Sequence, residues 1–239
     1  MQLEACIETI DEAVLAQKYQ CKRIEVCSAL DLGGLTPSYS FINTCSKLSG
    51  IESHILIRPR AGNFVYTSKE LNLMQADILS AAEAGAKGVV FGCLCSANSI
   101  ELDASKRLLD FAKSLDLNAT FHRAIDFVQN YEYSIQQLID LGFDRVLTSG
   151  QKQTAFEGLS NIKSILKQFS NRIEIMAGSG IDAKNVAVFQ SIGIHALHFT
   201  IRKNTMENVQ SNMGIQYQAD ETKLKAIINK IKHYENNTN

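Results

Sequence analysis

Eight short, mostly apolar runs recur along this chain, starting near residues 3, 23, 54, 88, 118, 145, 173 and 196. Segments with helical periodicity lie between them, and the spacing is the length of a βα unit. Runs such as residues 88–92 are apolar throughout, as are strands that helices cover on both faces. Eight right-handed βα units close into a barrel. The pattern therefore predicts one α/β domain over residues 1–239, a TIM (β/α)8 barrel, with an open doubly wound sheet as the alternative.

Helix boundaries are indicated by capping residues. Thr67, followed three residues later by Glu70, has the spacing of a capping box that opens a long helix. Thr36 and Pro37 predict an N-cap and first position for a helix over residues 37–48. Residues 202–220 are polar and lack periodicity, so they predict a long loop after strand eight. Residues 235–239 predict a frayed tail.

Two cysteines stand at the ends of the first two predicted strands, at Cys6 and Cys27. Consecutive strands of a barrel are neighbours about 4.8 Å apart, so the two thiols are expected to approach one another. Two soft thiolates with few other ligands favour Cu(I) over hard cations. His198, in strand eight, lies next to strand one in a closed barrel and is a candidate third ligand. The alternative is that both cysteines are small core residues.

Carboxylates and a histidine provide candidates for proton transfer. Glu4 and Glu25 lie two residues before their cysteines, on the same side of each strand. Buried carboxylates are costly unless paired, and Arg58, Arg60, His122 and Arg123 are candidate partners. These groups form either an internal salt-bridge network or an acid/base site. Glu25 and His122 are the candidate catalytic residues, with His122 oriented by Asp126 if the loop turns back.

A second set of residues predicts an anion site. Arginines flank Pro59, and guanidinium groups grip carboxylate or phosphate in bidentate fashion. The glycine-rich turn at residues 177–181 follows strand seven, where many barrels bind phosphate. A tight strand-to-helix connection is the alternative explanation of that turn. The candidate anion-binding residues are Arg58, Arg60, Arg123, Ser149, Gly178, Ser179 and Gly180. Cys93 and Cys95, spaced Cys-x-Cys after strand four, predict a second soft-metal site.

Charge and composition exclude several partners. The net charge is -1, which gives no electrostatic basis for binding nucleic acid or an anionic membrane. The N-terminus lacks the basic and apolar segments of a signal peptide, and no run has the length of a membrane span. We therefore expect a cytoplasmic protein in which the six cysteines stay reduced.

Several motifs, in order, resemble the CutC family of copper homeostasis proteins. They include Arg-Ile-Glu-Val-Cys-Ser at residues 23–28, Ile-Arg-Pro-Arg at 57–60 and Thr-Phe-His-Arg-Ala at 120–124. The resemblance covers residues 3–200 and implies a TIM barrel, a cytoplasmic location, homodimers, and Cu(I) binding at the positions of Cys6 and Cys27. The family's Pro-Gly-Gly-Gly-Ile is Ala-Gly-Ser-Gly-Ile here. Ser179 must then adopt the backbone angle that glycine takes in the family.

Two functional hypotheses follow from these observations. The first is a copper-binding homeostasis protein with Cys6 and Cys27 as Cu(I) ligands. The second is an enzyme that acts on a small anionic substrate, such as a phosphorylated one, by acid/base chemistry between Glu25 and His122. A pure interaction scaffold is disfavoured, because it gives no reason to place ionisable groups inside a barrel.

Overall fold

The computed structural model describes residues 1–205 and 215–238, with side chains through residue 236. Its strands are β1 Gln2–Ile7, β2 Arg23–Val26, β3 Glu52–Leu56, β4 Gly88–Phe91, β5 Asn118–Phe121, β6 Arg145–Thr148, β7 Glu174–Gly178, β8 Ala196–Thr200, β9 Arg202–Asn204 and β10 Tyr217–Ala219. Its helices are α1 Ile10–Lys18, α2 Tyr39–Ser46, α3 Ser68–Glu83, α4 Leu102–Ser114, α5 Tyr131–Leu141, α6 Leu159–Phe169, α7 Val186–Ser191 and α8 Glu221–Thr238.

Strands β1 to β8 form a closed parallel barrel in sequential order. The barrel closes where β1 pairs with both β2 and β8, which places Cys6 beside Glu25 on one side and beside Thr200 on the other. In the same way, Glu4 is flanked by Arg23 and His198. The predicted TIM barrel is confirmed, and its register brings the candidate residues of β1, β2 and β8 together.

The two faces of the barrel wall have different character. Alternate residues such as Ala5, Ile7 and Ile24 are fully buried in the apolar core between the strands and the surrounding helices. The inner face instead carries charge near the N-terminal ends of the strands. There Arg23 Nε donates to Glu4 Oε2 at 2.8 Å, and Arg23 Nη2 donates to Glu174 Oε1 at 2.7 Å. An ion-pair network thus fills the base of the barrel.

Helix starts follow the sequence signals, with one correction. Thr67 forms the predicted capping box with Glu70. The helix predicted over residues 37–48 begins at Tyr39, and its N-cap is Ser38, whose side chain accepts from the backbone N–H of Phe41. Thr36 does not cap this helix, because its hydroxyl accepts from the N–H of Arg58 at 2.9 Å.

The segment after β8 contains more regular structure than predicted. Strands β9 and β10 pair antiparallel at the two ends of the predicted 202–220 loop, and residues 206–214 lie outside the described residues. Helix α8 continues through Thr238, so residues 235–238 are helical rather than a tail, and Asn239 lies outside the described residues. Among the described residues, no helix is long and apolar enough to cross a membrane.

Candidate functional site

A cavity of about 280 Å³ opens among the C-terminal ends of the barrel strands. This is the face on which TIM barrels carry their functional sites. The lining includes many of the predicted site residues, contributed by strand ends and following loops: Cys6, Glu25, Arg58, His122, Arg123, Ser179, Gly180 and His198. Cys27 lies behind Cys6, buried against Leu56 and Val90.

The two predicted thiols are in contact. The sulfur atoms of Cys6 and Cys27 lie 3.3 Å apart, and Cys6 Sγ donates to Glu25 Oε2 at 3.1 Å. Cys27 Sγ also donates to the carbonyl of Ile7 at 3.3 Å. The three ligand atoms of Cys6, Glu25 and Cys27 lie within 4.8 Å of one another, a spacing at which one metal ion can contact all three.

Burial favours the protonated forms of this cluster in the absence of a cation. The hydrogen bond with Cys27, together with burial, raises the pKa of Cys6 well above its usual range. Burial is also the main cause that raises the pKa of Cys27 and of Glu25. A bound cation would supply the positive charge that these groups lack, and its binding would release protons.

His198 joins the cluster to the ion-pair network below it. Its Nδ1 lies 2.9 Å from Glu4 Oε1, and its Nε2 lies 3.6 Å from Glu25 Oε2. Burial opposes the charged imidazolium, but the charge of Glu25 and hydrogen bonds with Cys6 and Glu4 raise its pKa well above the ordinary value. His198 therefore neutralises the carboxylates beside the thiols. Glu4 pairs with Arg23 and His198, not with the four partners expected from sequence.

His122 lies in the cavity wall as a neutral imidazole. Its Nδ1 accepts the backbone N–H of Ala124 at 3.2 Å, so the ring proton is on Nε2. Burial, reinforced by the positive charge of Arg58, lowers the pKa of His122 to about 3. Asp126 does not orient His122, which corrects the prediction from sequence. Its carboxylate instead accepts hydrogen bonds from Arg123 and from Ser149.

The two arginines that flank Pro59 bind different partners. Arg58 lines the cavity, but its guanidinium donates to the backbone carbonyls of Leu32, Gly34 and Gly62. Arg60 lies outside the cavity lining and forms an ion pair with Glu70 at 2.5 Å. Strand β3 ends at Leu56, and beyond it only Arg58 of the two arginines lines the cavity. The predicted bidentate grip by this pair is therefore wrong.

Arg123 keeps part of its guanidinium free for the cavity. Its Nε donates to Asp126 Oδ2 and its Nη2 to Ser149 Oγ, both at 2.9 Å. Ser149 is fully buried and absent from the cavity lining, so it positions Arg123 rather than contacting a ligand.

The glycine-rich turn after β7 contributes two of its three predicted residues. Ser179 and Gly180 line the cavity with φ angles of +82° and +72°, so Ser179 does adopt the left-handed backbone angle expected from the family pattern. Gly178 is required for packing: a Cβ there would lie 2.6 Å from Leu147 Cδ1 and 3.3 Å from His198 Cβ. It leaves room for His198.

The Cys93 and Cys95 pair lies away from this cavity. Cys93 is buried in the outer core between strands and helices, whereas Cys95 is partly exposed and lies 2.9 Å from Ser99 Oγ. Among the described residues, the cluster of Cys6, Glu25 and Cys27 is the group of three or more ligand-type side chains close enough to share an ion. The Cys-x-Cys spacing thus leads to two different environments.

One charged residue of the cavity lining is not among the predicted site residues. Lys223 of α8 lines the cavity beside Thr200, and its Nζ donates to Thr200 Oγ1 at 3.1 Å. The signal was its place in the first turn of an amphipathic helix, immediately before the buried Leu224. A lysine at the edge of an apolar stripe is ordinary, so no sequence pattern selects Lys223 as a site residue.

Comparison with known proteins identifies relatives over most of the chain. Residues 1–203 match the model of the CutC family. A CutC family protein from Pasteurella multocida is 43% identical over 201 residues, covering 84% of this chain and 82% of the relative. Another from Glaesserella parasuis is 37% identical over 239 residues, covering 95% of this chain and 98% of the relative.

Solved structures agree with these relatives. A Streptococcus agalactiae protein, described provisionally as the copper homeostasis protein CutC, superposes with a TM-score of 0.78 at 36% identity, covering 83% of this chain and 98% of that chain. The 3-hexulose-6-phosphate synthase of Salmonella typhimurium reaches a TM-score of 0.63 at 14% identity, covering 98% of this chain and 100% of that chain. That second likeness concerns the fold alone.

Proposed function

Because this chain belongs to the CutC family, we propose that it binds Cu(I) through Cys6 and Cys27 and acts in copper homeostasis. The observation that carries the proposal is the 3.3 Å contact between the two sulfur atoms at the wall of the cavity. Copper in this role is cargo, taken up and released through the mouth of the barrel.

The donor set fits a soft monovalent ion. Thiolate sulfur is the ligand type that selects Cu(I), and Glu25 supplies one hard oxygen beside the two sulfurs. Burial disfavours thiolate anions without a cation, so the site gains most from a ligand that displaces protons. His198 supports the cluster by compensating the charge of Glu25 at 3.6 Å.

Titration of the reduced protein with Cu(I) against a competing chelator tests the site. We expect one-to-one binding that weakens by at least about tenfold in Cys6→Ser and in Cys27→Ser, because each variant removes one soft ligand. Cys45→Ser is the matched control, since Cys45 is equally buried but belongs to α2, away from the cavity. Affinity that is unchanged in both test variants would show that the sulfur pair is not the copper site.

The proposed function also concerns the cellular location and the oligomeric state of the protein. We propose a cytoplasmic protein, because a reducing compartment keeps both thiols available for the metal. We also propose a homodimer, as the family resemblance implies. Sedimentation equilibrium measures the assembly, and a single species of monomer mass would contradict it.

A second candidate function is an enzyme that acts on a small anionic substrate. It is supported by a neutral His122 and a carboxyl group, Glu25, whose pKa is raised in the same cavity. With its pKa near 3, His122 suits hydrogen-bond donation to substrate, and Glu25 suits proton exchange. Glu25→Gln should then abolish turnover while anion binding persists. This function requires an anion site.

A further inference from the structure

Lys223 is a partly buried cation without a carboxylate partner among the described residues. Its ammonium group donates to Thr200 Oγ1 at 3.1 Å, which leaves two of its three donors for the cavity that it lines. Burial lowers its pKa, and the charges of Asp220 and Asp182 offset this effect only in part. A half-buried ammonium group of this kind is stabilised when an anion arrives.

His122 and Arg123, which line the same cavity, carry further donors without a partner in the described part of the chain. His122 is 6% exposed, and its Nε2 has no hydrogen-bond partner among the described residues. Because Nδ1 accepts from Ala124, this unpartnered Nε2 is a donor. Arg123 uses Nε and Nη2 for Asp126 and Ser149, and the described residues offer its Nη1 no acceptor. Unsatisfied buried donors such as His122 Nε2 are uncommon in proteins, whereas the Arg123 side chain is 36% exposed.

The turn after β7 supplies backbone donors to the same space. The structure shows no acceptor among the described residues for the backbone N–H of Gly180 or of Ile181, and both residues line the cavity. A Cβ at Gly180 would lie 3.2 Å from Thr154 Cγ2, so a side chain at this position would crowd Thr154. The turn therefore adds to a set of donors that already includes Lys223.

We propose that the cavity binds the phosphate group of a small phosphorylated molecule, held by Lys223, Arg123, His122 and the turn at residues 179–181. Phosphate has more acceptor oxygens than a carboxylate and a larger charge, so it can satisfy donors from several directions. Leu30 and Phe64, also in the lining, offer apolar contact to the organic part. A volume of about 280 Å³ suits a small metabolite.

This inference is independent of copper binding, since it uses donors from the segment after β5, from the β7 turn and from α8 rather than the thiols. It deepens the second candidate function by naming the substrate class. The enzyme proposal and the phosphate-site proposal can fail separately. Phosphate binding without turnover would contradict the enzymatic function, whereas absence of phosphate binding would contradict the phosphate site.

Thermal unfolding and calorimetric titration test the site with inorganic phosphate, and with glycerol 3-phosphate against glycerol, at constant ionic strength. We expect both phosphates, but not glycerol, to raise the Tm of the full-length protein saturably. Lys223→Met keeps the aliphatic stem and should weaken phosphate binding by at least about tenfold, because a charge-assisted hydrogen bond is lost. Lys230→Met is the matched control, an exposed lysine of the same helix that is absent from the cavity lining.

Lys223→Arg, which keeps the charge, should retain phosphate binding. Circular dichroism verifies that each variant is folded. If Lys223→Met does not fold, the phosphate affinity of Lys223→Arg is compared with that of the wild type instead. The proposal is overturned if phosphate raises the Tm no more than chloride of equal ionic strength. Equal phosphate affinity in wild type and Lys223→Met overturns it as well.

Discussion

Glu4 is a fully buried carboxylate whose two oxygens contact different cations. Oε2 accepts from Arg23 Nε at 2.8 Å, and Oε1 lies 2.9 Å from His198 Nδ1. Burial alone would raise its pKa, but the hydrogen bond with His198 and the charge of Arg23 hold that pKa well below its usual range. One residue therefore links the ion pairs at the barrel base to the histidine beside the thiols.

Glu4→Gln should lower the free energy of unfolding by about 3 kcal/mol or more, because it leaves buried cations without a full counter-charge. Urea denaturation at neutral pH measures the difference. Asp110→Asn is the control: it breaks the exposed Lys106–Asp110 pair on α4, for which we expect less than about 0.5 kcal/mol. Equal losses in the two variants would mean that burial adds nothing to the Glu4 pairs.

The same residue predicts how stability depends on pH. The folded-state pKa values of Glu4 and Glu174 lie below the ordinary value, so their stabilisation is present above that value and is lost as pH falls through the folded pKa. Wild-type stability should decline below about pH 5, and Glu4→Gln should show a shallower decline over the same range. Parallel declines in the two proteins would contradict this assignment.

At the scale of elements, the sequence predicted strands and helix caps well because local chemistry determines them. The predicted strand starts fall within two residues of the observed ones, and Thr67 and Glu70 form their capping box. The predicted contact between Asp126 and His122 is absent because the Asp126 carboxylate binds donors that the next strand brings near. These donors are Thr148 at the end of β6 and Ser149 directly after it. No local pattern reports such a contact.

The cap of α3 gives a prediction at this scale. Thr67→Ala should lower the free energy of unfolding by about 1 kcal/mol, because the two hydrogen bonds between the Thr67 hydroxyl and Glu70 are lost. Thermal and urea unfolding measure it. Thr44→Ala in α2 is the control: this exposed hydroxyl bonds back to the carbonyl of Ser40 and caps nothing. We expect no loss of stability there.

For the whole molecule, barrel closure determines which residues meet. The sequence could predict the Cys6 and Cys27 contact because they belong to consecutive strands, and it could place His198 beside them once eight strands were counted. Lys223 could not be predicted in the same way. It reaches the cavity from α8, whose position relative to the barrel mouth depends on the segment after β8 and on tertiary packing.

Helix α8 is joined to the barrel by apolar contacts. Shortening a buried side chain of this helix should therefore destabilise the whole fold. Leu224 is fully buried on α8. Leu224→Ala should lower the free energy of unfolding by about 2 to 5 kcal/mol, because the surrounding side chains cannot fill the cavity completely. Leu73→Ala on α3 is the control, because that side chain is 51% exposed. Urea unfolding compares them, and equal effects would mean that α8 is not part of the cooperative unit.

The charged interior of the barrel affects how the stability of the fold depends on temperature. Arg23, Arg145, Glu4 and Glu174 occupy space that branched aliphatic side chains fill in many barrels. Unfolding hydrates these ions, and hydration of polar surface lowers the heat-capacity change, whereas hydration of apolar surface raises it. The dehydration penalty of buried ions also falls on heating. The stability curve of this protein should therefore be flatter than that of a barrel of equal length with an aliphatic interior.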